Sequence, residues 1–290
     1  MRRNRRWWRS VVLTGASGGI GRALARELAS DTVTMVLLGR HEQRLEEAAD
    51  GARQAGANVT TALVDVTDRA AMETLLADAD AQSPIDLVIA NAGRSLGTPP
   101  STVSAKSPES GLAPLERAGA LAELTAVNLV GAANTVEPLL GPLAARRRGR
   151  IVFMGSLAGQ RALPDMPAYS ASKAGLRAWA TALRGALAPV GVGVTHISAG
   201  FVTSPMSRRH LGRRPFEISA AEAARRIRRG IERDVPLIAF PWPLVALAWC
   251  GARLPPTISD LAIQPFAARI IPESEGAGAA PPQNAQPSRP

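Results

Sequence analysis

Short apolar runs alternate with longer amphipathic stretches from residue 10 to about residue 200. The apolar runs have the length and the β-branched content of strands, and the stretches between them repeat apolar residues at helical spacing. Strands that alternate with helices predict βαβ units, and right-handed crossovers join such units into one parallel sheet. We therefore expect an α/β protein with a doubly wound parallel sheet (Rossmann-type), about seven strands and helices on both faces.

The same pattern predicts where the elements lie. The predicted strands are residues 11–14, 33–38, 59–64, 87–90, 151–154, 192–197 and 237–240. The predicted helices are residues 21–29, 42–55, 69–81, 112–143 and 168–189, followed by a short apolar helix at 244–252. Residues 94–115 are rich in Ser, Pro and Gly and predict a loop or an insertion.

Changes in composition divide the chain into four segments. Residues 1–9 are a basic N-terminal arm, and residues 10–235 are the Rossmann-type domain. An apolar, helical C-terminal extension covers residues 236–271. The last segment, residues 272–290, is rich in Pro, Ala, Gln and Gly, and we expect it to be a disordered tail.

The composition is that of an ordinary globular protein, with 290 residues of which 46% are hydrophobic and 20% charged. Cys250 is the only cysteine, which excludes an intramolecular disulfide and a cysteine-rich metal centre. The three histidines, His41, His196 and His210, are widely separated along the chain. We therefore expect no metal site.

Arginine supplies nearly all of the positive charge, because only two lysines contribute to the net charge of +10. A strongly basic chain can bind nucleic acid or an anionic surface. The sequence lacks zinc-finger, basic-zipper and aromatic RNA-binding motifs, so we expect no nucleic-acid partner. We interpret the interior arginine clusters, at residues 146–150, 208–214 and 225–233, as solvated helix faces and turns.

Two segments raise the question of membrane contact. The uncharged residues 235–252 contain three prolines, and the apolar helix that remains is far shorter than the roughly 20 residues that span a bilayer. Trp242 and Trp249 beside Arg253 fit packing in the core or in a dimer as well as they fit a membrane interface. The basic residues 1–9, which include two tryptophans, offer a second contact with anionic lipid. We find no secretory signal and expect a cytoplasmic protein, with peripheral membrane association as an open alternative.

A glycine-rich loop follows the first predicted strand, with the sequence Thr14-Gly15-Ala16-Ser17-Gly18-Gly19-Ile20-Gly21. Glycines at such a junction permit a tight turn, let the backbone approach a pyrophosphate and let the next helix pack closely on the sheet. The N-terminus of that helix presents free N–H groups and a positive dipole to phosphates. We therefore predict that a dinucleotide binds at Gly15, Ser17, Gly18, Gly19, Ile20 and Gly21.

Arg40 stands just after the second predicted strand, where an NAD-binding protein would place a carboxylate against the ribose 2′-hydroxyl. A guanidinium suits a 2′-phosphate instead, because it can donate two parallel hydrogen bonds to it. The sequence thus favours NADP as the cofactor and makes NAD the less favoured one. The alternative is that Arg40 is an ordinary surface residue at the start of a helix.

Tyr169 is the only tyrosine, and Lys173 follows it by one helical turn, so both side chains project from the same face of the predicted helix 168–189. The pKa of an ordinary tyrosine is about 10, which makes the phenol a poor base at neutral pH. A neighbouring ammonium and the positive ring of an oxidised nicotinamide both favour the phenolate. We therefore predict that Lys173 lowers the pKa of Tyr169.

Together these motifs resemble the short-chain dehydrogenase/reductase family in its single-domain form, with a Tyr-x-x-x-Lys active site, over roughly residues 10 to 235. The spacing Thr14-Gly15-x-x-x-Gly19-x-Gly21 matches the family's cofactor loop. Asp65-Val66 matches the pair that contacts adenine, and Asn91-Ala92-Gly93 matches the turn after the fourth strand. Asn128 and Ser156 fall where the family has its helix-borne asparagine and its catalytic serine.

The resemblance implies a role for each catalytic residue. Tyr169 would be the general acid/base, Ser156 would hydrogen-bond the substrate oxygen, and Lys173 would also bind the nicotinamide ribose. Asn128 would hold a water that links Lys173 to bulk solvent. The implied nucleotide contacts further include Asp65, Val66, Asn91, Ala92, Gly93, Gly200, Val202 and Ser204.

The chain departs from the family after the sixth strand. The usual Pro-Gly is replaced by Ala199-Gly200, which loosens one turn, and the usual threonine is replaced by Ser204, which keeps a hydroxyl.

The function implied by the resemblance is an NADP-dependent oxidoreductase that interconverts a carbonyl and a secondary alcohol. We expect a hydrophobic small-molecule substrate, because the residues predicted to line its pocket are apolar. They are Leu157, Leu163, Met166, Phe201 and Met206. The family commonly pairs through its two long helices, which implies a homodimer or homotetramer. Two alternatives stay open on the same fold: a non-catalytic NADP(H)-binding sensor and a membrane-surface adaptor.

Overall fold

The computed structural model describes residues 7–96 and 116–263, and within them seven parallel strands form one sheet. In chain order the strands are β1 (Ser10–Thr14), β2 (Thr34–Gly39), β3 (Asn58–Leu63), β4 (Leu87–Ala90), β5 (Arg150–Ser156), β6 (Gly193–Ala199) and β7 (Leu237–Phe240). Across the sheet their order is β3-β2-β1-β4-β5-β6-β7. The order reverses between β1 and β4, and open parallel sheets bind ligands at the carboxyl ends of the strands beside such a reversal. The predicted fold class is confirmed.

Helices cover both faces of the sheet. They are α1 (Gly19–Leu28), α2 (Glu42–Gln54), α3 (Arg69–Gln82), α4 (Ala120–Thr125), α5 (Gly131–Arg146), α6 (Pro167–Leu187), α7 (Pro205–Arg208), α8 (Ala220–Glu232), α9 (Trp242–Gly251) and α10 (Pro256–Ile263). A π-helical segment, Ala126–Val130, joins α4 to α5. Short 3₁₀ turns follow β5 and α6, at Leu157–Gly159 and Ala188–Val190.

Alternation along the strands divides the core into two layers. Val11 and Leu13 of β1 belong to the layer under α1, α2 and α8, whereas Val12 between them belongs to the layer under α3, α5 and α6. Successive side chains of a strand point to opposite faces, so a sheet covered on both sides needs apolar residues at every position. All five residues of β1 are buried accordingly.

The last residues of the predicted N-terminal arm are part of the folded unit. Trp8 is fully buried in the core, and half-buried Trp7 accepts a hydrogen bond from Arg148 Nη2 at its carbonyl oxygen, 2.9 Å away. The guanidinium of Arg150 lies 5.7 Å from the centre of the Trp7 ring. Packing removes Trp8 from the surface, so Trp8 is not available to anchor the chain to lipid, whereas lipid contact through the rest of the arm stays a prediction. Residues 1–6 lie outside the described residues.

The helices differ from the prediction in one long helix and in three that were not predicted individually. The helix predicted at 112–143 begins at Ala120, because Gly119 adopts a left-handed conformation with φ of +82°, and it runs on to Arg146. Helix α8 was not predicted, although Ser219 followed by Glu222 is a capping-box pattern and the Ser219 hydroxyl accepts a hydrogen bond from the Glu222 N–H. Helices α7 and α10 were also missed.

The sheet extends beyond residue 235, the predicted end of the Rossmann-type domain. Residues Leu237–Phe240 pair with β6, and they belong to the sheet and not to the extension predicted at 236–271. The remainder of that extension is described only as far as residue 263. The predicted tail at 272–290 and most of the predicted loop at 94–115 lie outside the described residues.

The arginine clusters are largely paired with acids. Arg146 donates to both carboxylate oxygens of Asp80, at 2.7 Å each, and Arg228 bridges Glu27 and Glu232. Such pairs agree with the interpretation of these clusters as helix faces and turns. Within residues 7–96 and 116–263, no helix has the length and apolar character that crossing a bilayer requires. The same residues contain no group of three His, Cys, Asp or Glu side chains arranged to bind a metal ion.

Candidate active site

Three strand ends meet at one edge of the sheet. β1 leads into the glycine-rich loop, β4 leads into Asn91-Ala92-Gly93, and β5 ends at Ser156. These strands are neighbours in the parallel sheet, so the segments that follow their carboxyl ends lie side by side. The predicted cofactor and catalytic residues converge at this edge.

The glycine loop has a shape that larger residues would prevent. Gly15 has a left-handed φ of +65°, and a Cβ on Gly21 would lie only 2.2 Å from the carbonyl oxygen of Gly15. A Cβ on Gly19 would lie 3.0 Å from Cβ of Ser204, so the loop after β6 passes directly over the glycine loop. Ile20, in contrast, packs against the core.

The N-terminus of α1 is suited to an anion. Its N-cap is the exposed Gly18, which provides no side-chain hydrogen bond, and its first turn contains no acidic residue. The N–H groups and the positive dipole end are thus not satisfied by an internal carboxylate. Together with the close backbone approach at Gly21, this arrangement fits the pyrophosphate of a dinucleotide.

Asn91 holds the glycine loop to β4. Its side-chain amide donates to the carbonyl oxygens of Thr14, at 2.9 Å, and Gly15, at 3.1 Å. The backbone N–H groups of Asn91 and Ala92 both donate to the Thr14 hydroxyl at 3.1 Å. The predicted cofactor residue Asn91 thus contacts the cofactor loop itself, and a direct contact with nucleotide stays a prediction.

Arg40 and Asp65, two predicted nucleotide contacts, are paired with each other at the ends of β2 and β3. Arg40 Nη1 lies 3.2 Å from Asp65 Oδ2, and the other carboxylate oxygen accepts from the N–H and the hydroxyl of Thr67. Although burial acts in the opposite direction, these hydrogen bonds and the Arg40 charge hold the pKa of Asp65 below its ordinary value. Val66 is buried, and its Cγ2 would touch a Cβ on Gly131.

Ser156, Tyr169 and Lys173 come together beside this edge. Ser156 accepts a hydrogen bond from the Ala158 N–H at 3.2 Å, and its hydroxyl is near enough to the Tyr169 phenol to influence the pKa of that group. Lys173 Nζ lies 5.9 Å from the centre of the Tyr169 ring and donates to the Met154 carbonyl oxygen at 2.9 Å. The helical spacing predicted for Tyr169 and Lys173 is confirmed, since both lie on α6.

The pKa of Tyr169 is raised, not lowered as we predicted. Burial of the phenol is the main cause, the nearby Ser156 hydroxyl acts in the opposite direction, and the Glu116 charge adds to the effect of burial. Lys173 does not offset these effects, because its amine is directed at the Met154 carbonyl and is itself buried. Burial lowers the pKa of Lys173 to about 8, so the amine is mostly protonated at neutral pH but loses its proton more easily than an ordinary lysine.

Asn128 occupies the π-helical segment and is fully buried. Its side-chain oxygen accepts from the Arg94 N–H at 2.9 Å, and its amide nitrogen donates to the Arg94 carbonyl at 3.0 Å and to Ser172 Oγ at 3.0 Å. A Cβ on Gly93 would lie 3.0 Å from Asn128 Oδ1 and 3.2 Å from Lys173 Nζ. The structure thus brings Gly93, Asn128 and Lys173 together, and the predicted water between them stays a prediction.

The three predicted contacts after β6 serve different structural purposes. Gly200 packs on the C-terminal elements, since a Cβ there would lie 2.8 Å from Pro241 Cδ. The Val202 side chain is buried in the core. Ser204 caps α7, and its hydroxyl accepts from the Ser207 N–H at 3.0 Å. Of the three, Ser204 is the residue that faces the glycine loop.

The residues predicted to line a substrate pocket surround this edge only in part. Met166 is buried, Phe201 stacks edge-on against His210 at 5.1 Å, and Leu157, Leu163 and Met206 are partly buried. An open cavity of about 330 Å³ lies beside α6. Of the residues predicted to line a substrate pocket, only Leu163 lines this cavity. On α6 that cavity is lined by Ser170, Ala171 and Ala174, and neither Tyr169 nor Lys173 lines it.

Glu116 is a site residue that the sequence analysis missed. Its carboxylate accepts from the backbone N–H of Ala168 at 2.6 Å and of Tyr169 at 3.3 Å. No local sequence pattern predicts this contact, because Glu116 lies 52 residues before Ala168 in the sequence. Burial and the nearby Asp165 charge raise the pKa of Glu116.

Known proteins provide an independent comparison. A family profile described as short chain dehydrogenase matches residues 9–213. An uncharacterized oxidoreductase of Myxococcus xanthus is 37% identical over 257 residues, which are 88% of this chain and 96% of that protein. The ketoacyl reductase HetN of a Nostoc species is 32% identical over 67% of this chain. The very-long-chain 3-oxoacyl-CoA reductase of Podospora anserina is 31% identical over 68% of this chain. The matches to these two reductases cover only 64% and 56% of the relatives' own lengths.

Solved structures of the same architecture include complexes with both nicotinamide dinucleotides. A short-chain dehydrogenase/reductase from Burkholderia phymatum in complex with NAD has a TM-score of 0.71 and 23% identity, covering 83% of this chain and 91% of that one. A short-chain dehydrogenase from Sphingobium yanoikuyae in complex with NADPH has a TM-score of 0.68 and 22% identity, covering 93% and 99%. At these identities the likeness establishes the fold.

Proposed function

The chain belongs to the short-chain dehydrogenase family and is an NAD(P)-dependent oxidoreductase, and from this premise we propose that it uses NADPH to reduce a hydrophobic carbonyl compound to a secondary alcohol. The observation that supports this most strongly is that Tyr169 and Lys173 lie one turn apart on α6, beside the sheet edge where β5 ends at Ser156 and the glycine loop begins. A phenol with a raised pKa is protonated at neutral pH, so Tyr169 can donate the proton that reduction of a carbonyl requires.

The residues that would hold the nucleotide are those of the glycine loop and its surroundings. The N-terminus of α1 would bind the pyrophosphate, Asp65 and Val66 would border the adenine, and Ser204 would border the nicotinamide. When bound, the reduced cofactor supplies a hydride to the carbonyl carbon. The chain itself supplies binding, orientation and the proton.

Proton transfer would pass through the Tyr169 hydroxyl. Ser156, whose hydroxyl lies near the phenol, would donate a hydrogen bond to the substrate oxygen and stabilise the negative charge that develops there. Tyr169 would then protonate the same oxygen. Lys173, with its pKa lowered to about 8, is able to give up and regain a proton near neutral pH and would help to restore the phenol.

The preference for NADPH rests on Arg40. Its guanidinium is about half exposed and is paired with a carboxylate at the surface, so an incoming phosphate can compete for it. A phosphate carries more charge than Asp65 and accepts two parallel hydrogen bonds from arginine. The preference depends on that competition, and a comparison of NADPH and NADH binding measures it directly.

The substrate class follows from the apolar residues around the edge and from the relatives' names. Two relatives are called a ketoacyl reductase and a very-long-chain 3-oxoacyl-CoA reductase, and both names describe carbonyl groups on acyl chains. A 3-oxoacyl thioester is therefore the first substrate to test, followed by polycyclic ketones.

A substrate panel with NADPH tests the proposal, with nicotinamide absorbance as the readout. We expect turnover of apolar ketones and a fall of about 10²–10⁴ in kcat/KM for Tyr169→Phe, the usual contribution of a general acid. NADPH binding should persist in this variant, as measured by the change in tryptophan fluorescence. Tight nucleotide binding without turnover of any carbonyl by the wild type would support the non-catalytic sensor.

Membrane contact is a second proposal, favoured by the exposed side chains of α9 and α10. Trp242 is 77% exposed, Trp249 is 51% exposed and Leu261 is 68% exposed, and Arg253 stacks on Trp249 at 3.7 Å. Tryptophan beside arginine is typical of helices that lie at an anionic interface. Arg161 ties this surface to the loop before α6 through Asp260, at 2.6 Å.

Flotation with vesicles tests membrane contact. We expect the wild type to float with phosphatidylglycerol-containing vesicles, and Trp242→Ser with Trp249→Ser to remain below. Leu211→Ser, an exposed apolar residue on a different segment, is the matched control. Equal recovery of all variants would exclude this surface as the contact.

Light scattering of the protein without vesicles tests the expected homodimer or homotetramer.

A further inference from the structure

The helix that carries Tyr169 and Lys173 receives its N-terminal cap from a distant part of the chain. α6 begins at Pro167, and Met166 before it provides no side-chain hydrogen bond. Glu116 takes that place, because its carboxylate accepts from the N–H groups of Ala168 and Tyr169. A carboxylate at this position satisfies free donors and also interacts favourably with the helix dipole.

The cap contacts the residue whose proton is transferred. The backbone N–H of Tyr169 itself donates to the Glu116 carboxylate at 3.3 Å. The negative charge of Glu116 therefore lies close to the point where the Tyr169 side chain leaves the backbone. Tyr169 also packs against a small apolar cluster that includes Leu96, Ala120 and Leu124. These neighbours shield the site from water, and charges act more strongly where water is excluded.

Other charged groups face this region, and most have partners of opposite charge. On α4, Glu123 is paired with Arg94 and Arg117. Asp165, before α6, faces Glu116 and also His210, which follows α7. On α6 itself, Lys173 lies over the Tyr169 ring. The Lys173 charge also lowers the pKa of His196, which is on β6. Among the described residues, Glu116 is the carboxylate that acts directly on the phenol.

We propose that Glu116 is a positioning residue, whose carboxylate caps the first turn of α6 and places a negative charge beside Tyr169. The proposal rests on the reductase function proposed above and assigns a residue outside the motifs that carry the family resemblance. Removing the charge weakens the hold on the proton, whereas removing the acceptor weakens the helix start. The two effects are separable by substitution.

Direct titration of Tyr169 tests the charge. Since Tyr169 is the only tyrosine in the chain, a single ¹³C resonance from Cζ-labelled tyrosine reports its ionisation. We expect Glu116→Gln, which keeps an acceptor but loses the charge, to move the titration midpoint to lower pH. The alkaline decline of the reductase rate should move in the same direction. Glu137→Gln is the control: it removes an exposed carboxylate of α5 that is paired with Arg69 of α3, and it should leave both midpoints unchanged.

The cap is tested by thermal unfolding. Glu116→Ala should lower Tm by roughly 2–4 °C, the usual consequence of a lost helix cap in a chain of this size, and Glu116→Asp should recover part of the loss. Identical Tyr169 midpoints in wild type and Glu116→Gln would overturn the proposal and leave Glu116 as a structural cap alone. The titration needs no substrate, so a wild type without reductase activity would refute the proposed function and still decide the effect of Glu116.

Discussion

Arg40 Nη1 lies 3.2 Å from Asp65 Oδ2, so the guanidinium expected to recognise a 2′-phosphate already has a carboxylate partner. Both side chains are more than one third exposed, and ion pairs at such positions typically contribute only about 0–1 kcal/mol. A bound phosphate forms charged hydrogen bonds worth about 1.5–3 kcal/mol each. The pair is therefore weak enough to yield to a 2′-phosphate, and selectivity follows from the difference between the two interactions.

Arg40→Asp should weaken NADPH binding about tenfold to a hundredfold, the loss expected for one charged hydrogen bond, and should strengthen NADH binding. The reason is that the new carboxylate repels a 2′-phosphate and accepts from a free 2′-hydroxyl. Fluorescence titration with both nucleotides measures the effect. Arg44→Asp is the matched control, because Arg44 is exposed on the adjacent helix α2. An unchanged ratio of the two dissociation constants in Arg40→Asp would refute the assignment of NADP selectivity to this residue.

Gly21→Ala should abolish tight nucleotide binding. The new methyl group would lie 2.2 Å from the Gly15 carbonyl oxygen, so the glycine loop must move away from the N-terminus of α1. Overpacking of this kind typically costs about 1–3 kcal/mol of stability. Urea unfolding and NADPH titration together measure both effects.

Gly51→Ala is the control for that substitution. Gly51 lies within α2, and a Cβ there would meet nothing within 4 Å. The variant should be more stable than the wild type by roughly 0.5–1 kcal/mol, because alanine is the better helix former, with nucleotide binding unchanged. Retention of wild-type affinity by Gly21→Ala would show that the loop is not the phosphate site.

Trp8→Ala should destabilise the protein by about 3–5 kcal/mol, since Trp8 is fully buried among core residues. Removal of residues 1–6 leaves Trp7 and Trp8 in place and should cost less stability than Trp8→Ala. Urea unfolding of both variants makes the comparison. A small loss for Trp8→Ala would mean that the N-terminal residues are not part of the core.

The elements and motifs that depend on neighbouring residues were predictable from sequence. Apolar runs identified all seven strands, and the Tyr169–Lys173 spacing placed both residues on one helix face. Contacts that depend on distant parts of the chain were not predictable. Glu116 caps α6 from 52 residues away, and Arg40 is paired with Asp65 from the end of another strand. The raised pKa of Tyr169 was missed for the same reason, because burial is set by the packed structure.

His196 should make the protein sensitive to acid. This histidine is buried beside Gly155, and its pKa is lowered to about 4 by burial and by the charges of Lys173 and Arg177. The unfolded chain binds the proton near pH 6.5, so the contribution of His196 to stability is complete above that pH. It is lost as the pH falls toward 4. At about 1.4 kcal/mol for each pH unit, the loss amounts to about 3 kcal/mol.

Urea unfolding between pH 7 and pH 4 measures this contribution as a slope. In His196→Asn the slope over this range should be shallower than in the wild type, because the variant has no imidazole to protonate at that site. Equal slopes for the wild type and His196→Asn would mean that His196 takes up its proton in the folded state at an ordinary pH. Water would then have to reach the imidazole beside Gly155, because a ring shielded from water would resist protonation.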